Sequence, residues 1–477
     1  MSKRYAQFLV FITSGAVLVL EILAGRLMAP YVGVSLETFT GIIGTILAGI
    51  ALGSAVGGLL ADRHDPDRLI GPSLIGGGVL AWFAIPTVGF LGPGVGGSVA
   101  GIVTLALFGF FAPAMVLSAV GPMVAKLRLW SLDETGEVVG GLSAAGTVGA
   151  LFGTFVTGFV LVSAAPTRPI IIALGLGLVG LGIGHMVRRA GTRPSPGTGV
   201  AAAVVLGLAL VSGGPCEFES AYFCGRVVAD EEDSSVRYLI LDNLRHGAVD
   251  LDDPTHLGFR YTNIFGDVID AMAPGPLDTL HIGGGAYSMP QYLDATRPGS
   301  SHVVLEIDGL LFDVARDELG LVPGPNLSVV TGDARLALAD LADDSFDLII
   351  GDAFSGLAVP WHLTTTEFVA ELDRVLRPGG LYLMNAVDGD QNRFVEAELA
   401  TLGAHFDHRA VVVPSDWPVA RPVNQILLAS DAPIPDLAVD TEHGVAITGA
   451  DDVVAFTGGA KPLRDDFAPV DQLAANP

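Results

Sequence analysis

Long apolar stretches dominate the first 214 residues, running roughly over 7–29, 39–60, 69–91, 98–125, 138–162, 169–187 and 199–213. Most exceed the roughly 20 residues a helix needs to cross the hydrocarbon core of a bilayer. The N-terminal half therefore reads as a polytopic α-helical membrane bundle over 1–214 with about seven spans. The first stretch is too long for a removable signal peptide and lacks its small-residue cleavage site, so it is taken as a retained span. The last has only 15 residues, and the side on which the following residues emerge depends on whether it spans.

Charge divides the chain at the same place. Up to Gly214 there are 11 Lys and Arg against 8 Asp and Glu, a balance of +3; beyond it there are 14 against 43, a balance of −29. An apolar, nearly neutral half followed by a strongly acidic one is a membrane part joined to a water-facing part. The acidic half repels nucleic acid and anionic headgroups, which argues against a nucleic-acid partner. Nine basic residues (Lys3, Arg4, Arg63, Arg68, Lys126, Arg128, Arg188, Arg189 and Arg193) fall on one side of the spans, against Arg168 on the other. Basic residues accumulate in cytoplasmic loops, so the expectation is a multi-pass protein of the cell membrane with a cytoplasmic N-terminus. With seven spans the acidic part emerges outside; with six it stays inside.

Cys216 and Cys224 follow the seventh stretch. They can close a small loop in an oxidising compartment, or be two unrelated buried thiols. Glu21 lies inside the first stretch, where an ionised carboxylate is costly and is commonly turned to a bundle interior or a polar path; it is a candidate cation site, with Arg26 as the alternative neutralising partner. Gly41-x-x-Gly44 and Gly49-x-x-x-Gly53-x-x-x-Gly57 allow close helix packing.

Short alternating runs, Val227–Ala229, Val236–Leu241 and Ala248–Leu251, predict a small antiparallel β unit over 215–260. A helix over Ile264–Met272, stopped by Pro274-Gly275-Pro276, leads into 261–435, where strands and helices alternate. The strand Leu277–Ile282 runs into Gly283-Gly284-Gly285, where glycines let backbone approach a ligand and the next helix offers free N–H groups. His302–Asp308 ends in Glu306 and Asp308, about 23 residues past the first glycine, the spacing at which an acid accepts ribose hydroxyls in a doubly wound fold. Leu327–Thr331 runs into Gly332-Asp333-Ala334-Arg335, and Phe346–Ile350 into Gly351-Asp352-Ala353-Phe354. Arg377-Pro378-Gly379-Gly380 turns into Leu381–Asn385, and two further β runs lie near Val411–Val413 and Gln425–Ala429. This pattern predicts a Rossmann-like, methyltransferase-type α/β domain with its ligand over the carboxyl edge of a parallel sheet. The alternative is that these acids merely cap the following helices. The stretch 436–477 is read as an acidic C-terminal tail.

In this order, GGG, VVLEID, TGDAR, FDLIIGDAF and RPGG resemble the spermidine synthase family, and more closely its membrane-fused branch, over about 225–430. Asp465-Asp466-Phe467-Ala468-Pro469-Val470-Asp471 is similar too. The resemblance implies transfer of an aminopropyl group from decarboxylated S-adenosylmethionine, a cosubstrate rather than a tightly bound cofactor, to a small amine. It implies that Gly283, Gly284 and Gly285 line the nucleotide, that Glu306 with Asp308 holds the ribose, that Asp333 and Ala334 face the adenine, and that Asp352 binds and deprotonates the amine. The chemistry calls for such a group, because an ammonium has no lone pair and a carboxylate in a partly dehydrated pocket can both attract it and take its proton. No metal is required, and a homodimer is compatible with the family.

The chain also departs from that pattern. Ala286-Tyr287 stands where the family carries an acid after GGG, Asp242 and His246 stand in the segment that carries Asp-Gly and a Gln, and Ser355 replaces a second loop acid. Asp242, His246, Tyr287 and Ser355 are the candidate substrate-binding residues, with Trp361 and His362 beside the same mouth. His246 is a candidate proton acceptor near neutral pH, with a hydrogen-bonding histidine in a β turn as the alternative, and Tyr287 and Trp361 are candidate aromatic walls for a cation, with plain packing as the alternative. Two other functions share these features: an S-adenosylmethionine-dependent methyltransferase, and a membrane transporter or sensor with a non-catalytic nucleotide-binding domain.

Overall fold

The structure, a computed structural model, describes residues 1–129, 135–354, 359–389, 391–415, 422–434, 437 and 443–474. The chain divides into two compact units: Met1–Arg226 with Leu241–Leu244, and Val227–Ile240 with Arg245–Pro477.

The first unit is helical. Among the described residues six helices are long and apolar enough to cross a membrane: α1 (Lys3–Val32), α2 (Leu36–Arg63), α3 (Pro66–Val95), α4 (Val99–Arg128), α5 (Thr135–Ala164) and α6 (Thr167–Arg189). The seventh expected stretch is α7 (Pro196–Val211), only 16 residues, or about 24 Å at the α-helical rise. Glycines set the helix contacts. A β-carbon on Gly53 would stand 2.0 Å from the Met115 carbonyl oxygen, and one on Gly57 2.5 Å from that of Ala119, so α2 and α4 touch backbone to backbone. Between α1 and α5 the same is true of Gly149, 2.1 Å from the Phe11 oxygen, and Gly153, 2.5 Å from that of Gly15. Gly44, by contrast, faces open space. Large apolar side chains such as Leu47, Leu59, Phe155 and Phe159 remain exposed, as on a surface that meets lipid.

The residues after α7 close back on this unit. Cys216 and Cys224 form a disulfide with a Cα–Cα distance of 5.2 Å. Strand β1 (Phe218–Glu219) pairs antiparallel with β2 (Cys224–Ala229) through Phe218↔Gly225 and Glu219↔Cys224. The division between the units falls at Arg226 rather than at 214, because Arg26 and Thr167, the partners of Glu219, hold this segment to the helices. With β3 (Val236–Leu241) and β4 (Leu244–Asp250), β1 and β2 make a four-stranded sheet in sequential order.

In the second unit, α8 (Arg260–Ala271) precedes an eight-stranded sheet built from β5 (Asp278–Ile282), β6 (Ser301–Glu306), β7 (Leu327–Thr331), β8 (Phe346–Gly351), β9 (Leu376–Asp388), β10 (His408–Val413), β11 (Val423–Ser430) and β12 (Val445–Ile447). The spatial order is β12-β10-β11-β9-β8-β5-β6-β7. The pairs β8/β5, β5/β6, β6/β7 and β8/β9 are parallel, while β9/β11, β11/β10 and β10/β12 are antiparallel. Side chains alternate across the sheet. Tyr382, Met384 and Ala386 enter the core with Phe368, Leu372 and Phe394, whereas Leu381 and Leu383 enter the opposite core with Phe265, Ile269 and Leu293. The stretch expected to be an acidic tail is not one: it supplies β12, the helix Ala450–Thr457 and Val470–Ala474, and buries Val453, Leu463 and Val470.

Candidate active site

Three parallel strands end together over one edge of the sheet, and their loops make the site. After β5 the chain turns through Gly283 and Gly285, at φ 95° and 51°, conformations that glycine adopts without cost. A β-carbon on Gly283 would lie 2.5 Å from the Asp352 carbonyl oxygen, so the loops after β5 and β8 touch. Glu306, at the end of β6, is 5% exposed. Its Oε2 accepts the N–H of Gly284 at 2.7 Å and of Gly285 at 3.3 Å, and its Oε1 accepts that of Asp308 at 2.8 Å. Burial raises its pKa against the pull of these backbone donors.

Asp352 ends β8. Tyr261, on α8, donates its hydroxyl to Oδ2 at 2.9 Å, and Asn385, on β9, donates Nδ2 to Oδ1 at 2.9 Å. Asn424 in turn donates Nδ2 to Asn385 Oδ1 at 2.9 Å, orienting that amide. Burial pushes the Asp352 carboxyl up to about 6, although both hydrogen bonds favour the ionised form. A carboxyl in that range is largely ionised at neutral pH and still able to accept a proton, the condition for a general base.

The remaining sequence-predicted residues separate. Asp308 Oδ1 accepts Leu310 N at 3.2 Å and caps the following helix. Asp333 Oδ1 accepts Arg335 N at 2.9 Å and Leu336 N at 3.3 Å, a cap on Ala334–Leu338, while its Oδ2 lies 3.0 Å from His362 Nε2. Ala334, at the start of that helix, is buried. His362 thus joins Asp333, with half-exposed Trp361 edge-on to its ring. His246 lies beside the glycine turn, its carbonyl oxygen 3.7 Å from where a Gly285 β-carbon would stand; burial holds its imidazole down at about 4, making it a weak acceptor at neutral pH rather than one poised there.

One reading needs correction, one residue belongs to the other unit, and one lies outside the described residues. Tyr287 is no wall of the mouth: it is fully buried beneath Gly284, in an edge contact with Phe312 at 6.0 Å, as packing against the core requires. Its hydroxyl has no hydrogen-bond partner among the described residues. Asp242 belongs to the first unit, where Oδ1 accepts Cys224 N at 3.1 Å. Ser355 lies outside the described residues.

Tyr261, Asn385 and Asn424 were not singled out from the sequence, nor was the partner of Arg335. That guanidinium grips Asp465 with two bonds of 2.8 and 2.6 Å and also reaches the His362 carbonyl oxygen at 2.9 Å. The Asp465-Asp466-Phe467 motif therefore anchors the C-terminal segment beside the loop after β7.

A parallel core of β7-β6-β5-β8-β9 continued by antiparallel strands, with a glycine turn, a buried acid and a second carboxylate on successive strand ends, defines a methyltransferase-type α/β domain. Residues 280–384 match the family model described as "Methyltransferase domain". The similar proteins are narrower in kind. The chain is 36% identical over 114 residues to a polyamine aminopropyltransferase of Vibrio vulnificus, covering 24% of this chain and 38% of the relative. It is 28% identical over 188 residues to that of Chromobacterium violaceum, covering 39% of this chain and 70% of the relative. Among solved structures, a probable spermidine synthase from Corynebacterium glutamicum is 26% identical with a TM-score of 0.49, covering 53% of this chain and 97% of that one. The chain thus spans little more than a third of the length of the first of these relatives, and its α/β domain is similar in sequence to part of these polyamine aminopropyltransferases.

Proposed function

We propose that the second unit is an aminopropyltransferase carried on a multi-pass membrane bundle with a cytoplasmic N-terminus. The observation that carries this reading is the Asp352 carboxylate, held by Tyr261 and Asn385 at the end of β8 and raised by burial to about 6. Decarboxylated S-adenosylmethionine would lie over the carboxyl edge, its ribose toward Glu306, its adenine toward Asp333 and Ala334, and its sulfonium near the glycine turn.

The amine enters as an ammonium, is attracted by Asp352 and gives up a proton to it. The freed nitrogen lone pair attacks the carbon next to sulfur; the N–C bond forms as the C–S bond breaks, and the bonding pair stays on sulfur as a neutral thioether. What the protein supplies is alignment of nitrogen, carbon and sulfur together with the proton acceptor. Ala286, packed against Gly247 where the family carries an acid, offers no charge to an aminopropyl ammonium.

The test is product formation by the full-length protein from decarboxylated S-adenosylmethionine and 1,4-diaminobutane, followed as methylthioadenosine release. Methylthioadenosine stoichiometric with a new triamine supports the reading. Turnover of intact S-adenosylmethionine to S-adenosylhomocysteine instead would assign methyl transfer, for which the sheet and the matched family model are equally suited.

A further inference from the structure

The first unit holds a cavity of about 470 Å³ lined by residues of α1, α2 and the segment around the disulfide, among them Glu21, Ile22, Phe39, Ile43, Tyr222 and Asp242. That volume is within the roughly 300–1,000 Å³ of ordinary small-molecule sites. Its lining is mostly apolar, yet three carboxylates, Glu21, Glu219 and Asp242, face it against one guanidinium, Arg26.

Arg26 does not neutralise Glu21. Its Nη2 lies 3.2 Å from Glu219 Oε1, its Nη1 donates to the Ala221 carbonyl oxygen at 2.6 Å, and its Nε donates to Thr167 Oγ1 at 3.3 Å. Glu219 Oε1 also accepts Thr167 N at 3.0 Å. Arg26 and Glu219 therefore satisfy each other and staple the segment after β1 to α1 and α6. Asp242 has the Cys224 N–H as a donor and no ion-pair partner among the described residues. Glu21 makes no hydrogen bond or ion pair among the described residues.

An uncompensated carboxylate within an apolar helix bundle is costly, and its cost falls when a cation enters beside it. An anion would meet two carboxylates without counter-charge, and a neutral apolar molecule would leave them unanswered. The side chains around the acids fit the body of an organic cation: Ile22 and Ile43 offer aliphatic contact, and Phe39 and Tyr222 line the cavity with aromatic rings of the kind that attract an ammonium. We infer that the first unit carries a binding site for an alkylammonium cation, with Glu21 as its charge partner, Asp242 as a second acidic wall and Phe39 and Tyr222 as its aromatic sides. The inference concerns the first unit and does not rest on the transfer chemistry proposed for the second.

The experiment is saturation binding of radiolabelled 1,4-diaminobutane to the full-length protein in lipid nanodiscs, with hexylammonium and 1-hexanol as competitors. Saturable binding is expected, displaced by hexylammonium and not by hexanol. Glu21→Gln should weaken it at least tenfold; because that change removes an uncompensated charge and keeps the shape, the variant is expected to fold. Ile43→Trp, which fills the cavity and leaves every charge in place, should abolish binding with the melting temperature retained. Binding equal in both variants, or displaced equally by hexanol, would overturn the inference. So would a signal lost on Asp352→Asn but kept on Glu21→Gln, which would place the diamine in the second unit. A phospholipid retained in native mass spectra with no diamine binding would overturn it as well.

Discussion

Replacing Tyr261 by Phe deletes one donor to Asp352 and leaves the ring, which packs edge-on against Phe265 at 5.7 Å, in place. The tyrosine hydroxyl stabilises the ionised carboxylate, so its loss favours the neutral acid and the Asp352 pKa rises further above its starting value of about 6. A hydrogen bond to a charged group contributes about 1.5–3 kcal/mol, which at 1.36 kcal/mol per unit is a rise of roughly one to two pH units. Asp352 is then about nine-tenths ionised at pH 7 in the parent protein and about one-half to one-tenth ionised in the variant. The expected result is a fall in kcat/KM of about two- to ninefold at pH 7 that disappears near pH 9, with the acid limb of the profile displaced upward. The assay is methylthioadenosine release at saturating nucleotide across pH 5 to 9.5. A loss of equal size at every pH would mean that Tyr261 only shapes the pocket, and an unmoved acid limb would refute Asp352 as the group whose ionisation governs the rate.

Asp352→Asn should lower kcat by about 10²–10⁴-fold, the usual contribution of a general base, while titration calorimetry shows nucleotide binding retained. Asp465→Asn weakens the grip of Arg335 on the C-terminal segment and should make that segment the first site of cleavage in limited proteolysis. Gly53→Ala drives a methyl group into the Met115 backbone and should cost about 1–3 kcal/mol, the usual range for overpacking; Gly44→Ala, facing open space, should leave the melting temperature of the detergent-solubilised protein unchanged. Mass spectrometry of the alkylated, unreduced protein should find neither Cys216 nor Cys224 modified, and two alkylated thiols would remove the disulfide.

Periodicity carried most of the fold. Runs such as Phe346–Ile350 and Leu381–Asn385 alternate across two cores, and the glycine turn after Ile282 marks where the sheet edge opens; both are local signals. The seventh expected stretch is also an apolar helix, Pro196–Val211, but at 16 residues it is shorter than the six long ones. The site was legible in its acids and not in what holds them. Asp308, Asp333 and Asp352 occupy equivalent places in sequence, each closing a strand before a turn. In the structure the first two cap helices, while Asp352 is gripped by Tyr261 and Asn385, which lie 91 and 33 residues away along the chain. No spacing rule connects such residues, because α8 packs on one face of the sheet and β9 is a neighbouring strand of it. Tyr287 follows the packing alternative: an aromatic after a glycine run can line a mouth or plug the floor, and only its burial against Phe312 decides between them.

In the reading proposed above, the two carboxylates at the sheet edge divide the work by their surroundings. Glu306 is bound by three backbone donors contributed by its own turn and the glycine loop, so its position is set by main chain and survives most side-chain changes. Asp352 is held by two side chains on separate elements and kept half-neutral near pH 6 by burial. A group that only anchors a ribose gains from the first arrangement, since a fixed acceptor loses little entropy on binding. A group that must take up and release a proton needs the second, in which substitution of a single partner retunes its pKa without moving the strand that carries it. This asymmetry is why changes at Tyr261 or Asn385 should alter the pH dependence of turnover, whereas changes at Glu306 should alter nucleotide affinity at every pH.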